Sequence, residues 1–278
     1  MCPPEYRRSY VMGVSARKGM IISCNGKKNW EFLNMEYDLV VKKTIFVVYL
    51  KDMSKIHESI ISNLILEDRW KLLTDGLSNT LKVSLWSIVL ATLLGGCLCA
   101  LRMNRRKWAF VPVKWYVELM RSIPLLVLLL LMFYVVLTDV ALSSVWIAIV
   151  SFALYFSAYF CEIFRTGVEG VNRGQWEAGY ALGLSPMRTF MKVILPLAVK
   201  RIIPVYKGQM ITLVKSTSIV GYVAVADLTK AGDLIRSRTF DAFFPLLLVS
   251  AVYLLLCWIL SSGLDLLDKS VTPKSRKI

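Results

Sequence analysis

The residues of this chain that could carry chemistry are few, and their types exclude most enzymes. His57 is the only histidine and lies outside the apolar spans, so a histidine-rich metal site is ruled out by count and a His-based triad is not expected. No Gly-x-x-x-x-Gly-Lys-Ser/Thr phosphate loop occurs. The chain is therefore not expected to bind and hydrolyse a nucleotide by itself, and energy for any work must come from a partner. Of the six cysteines, Cys97, Cys99, Cys161 and Cys257 lie in apolar segments, where a thiol packs as a small hydrophobe. Cys97-x-Cys99 lacks the spacing and the second pair of a zinc site. What remains is a set of charged and hydroxyl groups inside apolar stretches: Glu118 and Arg121, Tyr155, Glu162, and Lys215 with Thr217 and Ser218.

Glu118 and Arg121, three residues apart, share a helical face and can pair, which lowers the cost of placing either near hydrocarbon. A lysine inside a span is expensive and ordinarily faces a bundle interior or a watery cavity, so Lys215 is a candidate for a substrate path. An ion pair with an acid such as Glu162 is its structural alternative. Ser151, Tyr155, Ser157 and Tyr159 make another polar series; such groups more often form interhelical hydrogen bonds than bind a ligand, and both readings stay open.

Between the apolar segments lies one charged interlude, Arg165 to Lys200. It reads as two short helices and a tight corner. The first, around Gln175 to Leu182, stops at Gly183, a residue that accepts the left-handed conformation without a Cβ penalty. The second starts with Ser185 as N-cap and Pro186 at its first position. Met187, Phe190, Met191 and Ile194 fall on one face of it, and Leu195-Pro196 closes it.

These groups need elements to hold them, and composition says which. The chain is 56% hydrophobic, beyond an ordinary soluble domain, so an all-α polytopic membrane protein comes first. Its net charge of +15 sits in short basic clusters beside apolar runs, as cytoplasmic loops require, and nucleic acid is not an expected partner. Five spans are legible: Leu77 to Leu101, Trp115 to Leu137 with a kink at Pro124, Ala141 to Cys161, Ile202 to Ala226, and Ala242 to Leu264. Gly95-Gly96 permits close helix contact in the first. Arg102, Arg105, Arg106 and Lys107 put the first loop in the cytoplasm, with an outside start and an inside end for the bundle; the basic N-terminal tail conflicts with that bias.

Ahead of the spans, Ile56 to Leu73 has a helical pattern that fits a helix lying on the membrane surface or a solvated linker. Residues 1–50 have no signal-peptide core and admit three readings: a remnant, a misplaced start or a tail. Ala226 to Asp241 mixes both signs and reads as a folded external loop or short helix.

Several stretches in register carry a resemblance. Glu177-Ala178-Gly179, Gly183 four positions later, and Val193-Ile194-Leu195-Pro196 resemble the Glu-Ala-Ala…Gly…Ile-x-Leu-Pro loop of the membrane subunits of ABC importers. Tyr116 to Pro124 (YVELMRSIP), Glu162-Ile163-Phe164-Arg165, Gly174 to Ala178 (GQWEA) and Val214 to Ser218 (VKSTS) resemble the polar amino acid (histidine, glutamine, arginine type) permease branch. The likeness covers roughly Trp70 to Asp268.

The resemblance implies the ABC importer permease fold, with residues 51–76 as an interfacial or linker helix, 77–268 as the permease domain and 269–278 as a basic cytoplasmic tail. Residues 166–200 would form the coupling loop, in which Glu177, Ala178, Gly179, Gly183, Ser185, Leu195 and Pro196 engage a cytoplasmic ATPase. Gly179 stands where a second alanine is usual, and is expected to loosen the first helix.

The implied partners are ABC ATPase subunits, which carry ATP and Mg, a second permease subunit (the same or a sister chain), an extracytoplasmic amino acid binding protein and the bilayer. No cofactor is expected on this chain. The implied location is the bacterial cytoplasmic membrane, crossed several times. Ile56 to Trp70 resembles the stretch that joins a binding domain to the permease in fused members. With no room for that domain, the binding protein is expected to be separate, or the gene has lost or never included it. Two rival functions stay open: a passive channel or signalling membrane subunit, and a truncated inactive permease.

Overall fold

A computed structural model gives the structure of residues 60–104 and 107–271. The N-terminal segment 1–50, the start of the pre-span stretch with His57, the loop pair Arg105-Arg106 and the last residues of the basic tail, 272–278, lie outside the described residues. Among the described residues all regular structure is helical, with no strand. The α-helices are α1 (Trp70–Arg102), α2 (Lys107–Ser122), α3 (Leu125–Leu131), α4 (Ser144–Glu169), α5 (Arg173–Ala181), α6 (Pro186–Thr189), α7 (Leu195–Ser216), α8 (Leu228–Thr239) and α9 (Phe243–Val271).

Three helices are long and apolar enough to cross a membrane, α1, α4 and α9, and five spans result if each of two bent helix pairs counts as one. The first pair is α2 with α3 and its following π turn Met132–Val136, bent by 107°. Pro124, at φ −60° and ψ 136°, is extended. Lacking an N–H, and driving its predecessor away from helical angles, it breaks the expected second span rather than kinking it. The second pair joins the run from Pro186 to Val223 with α8 at 53°. Here α7 gives way to a 3-10 turn, Thr217–Val223, and Ala224 is left-handed at φ 58°. The segment from Ala226 to Asp241 folds as α8, capped by Asp227, whose carboxylate accepts from the backbone N–H groups of Thr229 and Lys230 at 3.0 Å each.

The stretch expected as one helix over Ile56 to Leu73 differs. A π turn, Ile61–Ile65, meets a 3-10 turn, Leu66–Asp68, and two left-handed residues, Glu67 (φ 56°) and Asp68 (φ 55°), make an elbow before α1. Arg69 holds it, donating to the Ser62 carbonyl at 2.7 Å and to Glu67 at 3.0 Å. Apolar spacing marks a helical period but does not register such a side-chain clasp.

The core lies between α1 and α4. In α4, Phe152, Phe156 and Phe160 are buried against Val83, Ile88 and Ala91 of α1 and Leu213 of α7. With lipid as apolar as any side chain, association of such helices rests on close packing. Gly95 provides it: a Cβ there would stand 2.7 Å from the Phe160 Cβ and 3.0 Å from the Ser157 carbonyl. Gly96 faces open space, so only one of the two glycines makes the contact. The most apolar window of α4 is 61% buried and that of α9 is 11% buried, which makes α4 the central helix and α9 the peripheral one.

Candidate functional site

The charged interlude is rooted in a buried cluster of Val168, Val171, Ile194 and Ala198, against which Trp176, Phe190 and Ile202 pack. Arg201 reaches across to donate to the Gly170 carbonyl at the end of α4. Asn172 opens α5, its side chain accepting from the Gly174 N–H at 2.9 Å. The helix ends in two reciprocal bonds, Leu184 N–H to the Gly179 carbonyl (3.2 Å) and Gly183 N–H to the Tyr180 carbonyl (2.9 Å). Gly183 is at φ +73°. This pair of bonds with a left-handed glycine is the Schellman arrangement, which fixes the corner by satisfying the last carbonyls of the helix.

After the corner Ser185 takes the N-cap position of α6, with Pro186 in the first turn. Its carbonyl accepts from the Thr189 N–H at 2.8 Å, while its side chain makes no capping bond. Leu195-Pro196 does not close this helix as expected. A π turn, Phe190–Ile194, carries the chain straight into α7, with Pro196 in its first turn. The Leu195 N–H bonds the Phe190 carbonyl five residues back, and the wider turn takes in a proline that has no donor to lose. The expected apolar face also divides. Ile194 is buried and Phe190 stacks on Trp176 at 6.3 Å, whereas Met187 and Met191 point outward.

The result is a rigid corner with an uncovered apolar tip. Leu182 is 79% and Met187 71% exposed, with Tyr180 and Met191 beside them. Glu177, Ala178, Gly183, Ser185 and Pro196 are exposed and Leu195 is half-buried. Gly179 faces inward, and the Thr189 methyl occupies the space a Cβ would need. The loosening expected from this glycine is countered by that contact.

The span residues sort differently. Glu118 pairs with Lys114 at 3.8 Å and not with Arg121. The Arg121 guanidinium lies over the Tyr159 ring, 5.5 Å from its centre, and the Tyr159 hydroxyl is 3.2 Å from that of Tyr155. Glu162 is shared by Arg102 (2.7 Å) and Arg165, and Arg165 also binds Glu169. With both Glu162 oxygens taken, the alternative pair with Lys215 does not form; Lys215 is exposed and makes no ion pair among the described residues. Thr217 is buried and donates to the Val214 carbonyl at 2.8 Å, while Ser218 is half-buried.

The sequence profile of the inner membrane components of binding-protein-dependent transport systems matches residues 91–273. The chain belongs to that family. This permease is 34% identical over 211 residues to the probable glutamine ABC transporter permease protein of Bacillus subtilis, covering 74% of this chain and 95% of the relative. It is 31% identical to the L-cystine transport system permease protein of the same organism, covering 72% and 86%. A solved amino acid ABC transporter with histidines superposes with a TM-score of 0.67 at 30% identity, covering 72% of this chain and 94% of that one. The MetNI methionine ABC transporter, solved in inward facing conformations, shares the fold at a TM-score of 0.63 and 23% identity, covering 74% and 99%.

Sequence reasoning missed four parts of this permease. The Thr189 contact on Gly179 has no local signal. Arg102 as partner of Glu162 joins positions 60 residues apart, and the Thr92–Tyr206 hydroxyl contact at 2.5 Å spans 114. Only the Asn172 cap was visible in principle, as an Asn just before a helical run.

Proposed function

We propose that this chain is the transmembrane subunit of an ATP-driven importer of polar amino acids in the bacterial cytoplasmic membrane, crossing it several times. ATP and Mg sit on separate ATPase subunits, which dock at residues 166–200. A second permease subunit, the same chain or a sister, completes the path, and an extracytoplasmic binding protein delivers the substrate. The glutamine and cystine permeases of Bacillus subtilis among its relatives favour this reading over a passive channel or an inactive permease.

The observation that carries it is the corner of α5 and α6. Its apolar tip of Leu182, Met187 and Met191 is uncovered while its base is packed into α4 and α7. A side chain such as Leu182 gains by leaving water for a partner groove. A corner held by Gly183 cannot flex under load, so closure of the ATPases turns α4 and α7 and switches the path between its two faces. Glu177, on the outward side of α5, supplies a charge for register at the same interface. The double variant Glu177→Ala/Gly183→Leu should lose ATP-driven uptake and ATPase co-purification while remaining in the membrane. Undiminished uptake by that variant refutes the coupling role.

A further inference from the structure

We infer that Arg201 is a positioning residue of the coupling corner: by gripping the end of α4 it ties that helix to the corner across a break in the helical backbone. The inference rests on the importer reading and deepens it. The corner is joined to its two neighbours unequally. On one side α6 runs through the π turn Phe190–Ile194 into α7 without a non-helical residue. On the other, α4 ends at Glu169 and α5 begins at Arg173, so Gly170, Val171 and Asn172 form a short non-helical link. Load applied at the tip thus reaches α7 through unbroken helix, whereas a hinge at the link would let α4 stay behind.

Arg201 spans that link from the α7 side. Its guanidinium donates to the Gly170 carbonyl, 31 residues away in sequence. This is one of the last carbonyls of α4, where a cation also meets the negative end of the helix. The bond lies at the surface, and beneath it the next residue makes a second grip. Ile202 fills the place that a Cβ would take at the buried Gly167, with its Cδ1 2.8 Å from that place. Gly167 and Gly170 share one face of α4 at a spacing of three, and a Cβ at Gly170 would stand 3.0 Å from the Arg201 Nη1. Two glycines of α4 therefore admit two consecutive residues of α7. The apolar contact of Ile202 sets how closely the helices approach but is non-directional, whereas the Arg201 bond to a single carbonyl sets the register of the last turn of α4 against α7.

The test uses the permease with its ATPase and binding protein in proteoliposomes and radiolabelled L-glutamine as probe, and reads the label taken up per ATP hydrolysed. Arg201→Gln should lower that ratio by about tenfold with ATPase co-purification retained, and Arg201→Lys, which can still donate to the carbonyl, should lower it by less. Amide hydrogen exchange over Gly170 to Asn172 should be faster in Arg201→Gln than in wild type and unchanged through the π turn Phe190–Ile194. An unaltered ratio in Arg201→Gln, or equal exchange at the link, overturns the inference. Equal losses in Arg201→Gln and Arg201→Lys, or loss of ATPase co-purification in Arg201→Gln, assign the residue to folding or docking and overturn it as well. If the wild-type complex takes up no amino acid, the importer reading fails, and exchange at the link in the permease alone remains as the separate test of the grip: equal rates in wild type and Arg201→Gln refute it.

Discussion

Thr189 sits where the Cβ of residue 179 would be. The methyl and hydroxyl of this fully buried threonine press on Gly179 across the corner between α5 and α6, and Gly179 is the inward-facing residue of α5. The two positions therefore form one volume. Gly179→Ala gains about 1 kcal/mol of helix propensity but must push back the threonine, and overpacking costs about 1–3 kcal/mol. The single variant is expected to lower the thermal midpoint of the detergent-solubilised protein. Adding Thr189→Ala should restore it to wild type or above.

Gly183 is the residue whose backbone angles the corner demands. Gly183→Ala keeps the size small but places an L-residue at φ +73°, at about 1–2 kcal/mol. ATPase activity in proteoliposomes should become less responsive to binding protein and substrate, with Gly183→Asn milder because Asn tolerates left-handed angles. Equal coupling in Gly183→Ala and wild type would show that the corner does not set the response.

Glu162 neutralises Arg102, whose side chain is only 11% exposed. Glu162→Gln leaves that guanidinium without a charge partner, which is expected to destabilise the protein by about 3 kcal/mol or more. Replacing both residues, as Arg102→Met/Glu162→Met, should recover most of the loss. The double-variant cycle, read by chemical or thermal unfolding in detergent, measures the pair directly.

Lys215 ends α7 with neighbours Val214 and Ser216 and no ion pair among the described residues. If it lines the path, Lys215→Met should reduce uptake by about tenfold, equivalent to about 1.4 kcal/mol, while the thermal midpoint stays within a few degrees of wild type. Normal uptake returns the lysine to a structural role.

Much of the helix pattern was legible because it follows from local rules. Apolar runs located α1, α4 and α9, and Pro124 marked where the second span bends, as a kink rather than the 107° break that forms. Gly183 and Pro186 marked the corner. The charged pairs were not legible, since spacing allowed Glu118 to meet either Lys114 or Arg121 and left Glu162 open to Lys215. Which partner wins depends on which helices touch.

The sequence by itself determined that this is a helical membrane protein, and where its charged corner lies. Hydropathy, proline and glycine act through the backbone of their own neighbourhood, so their consequences are written in order along the chain. Only the tertiary structure decided that Thr189 fills Gly179, that Arg102 holds Glu162, and that the Arg121 guanidinium lies over the Tyr159 ring. Those outcomes depend on contacts between separate helices, where a few ångströms of packing select one ion pair and forbid another.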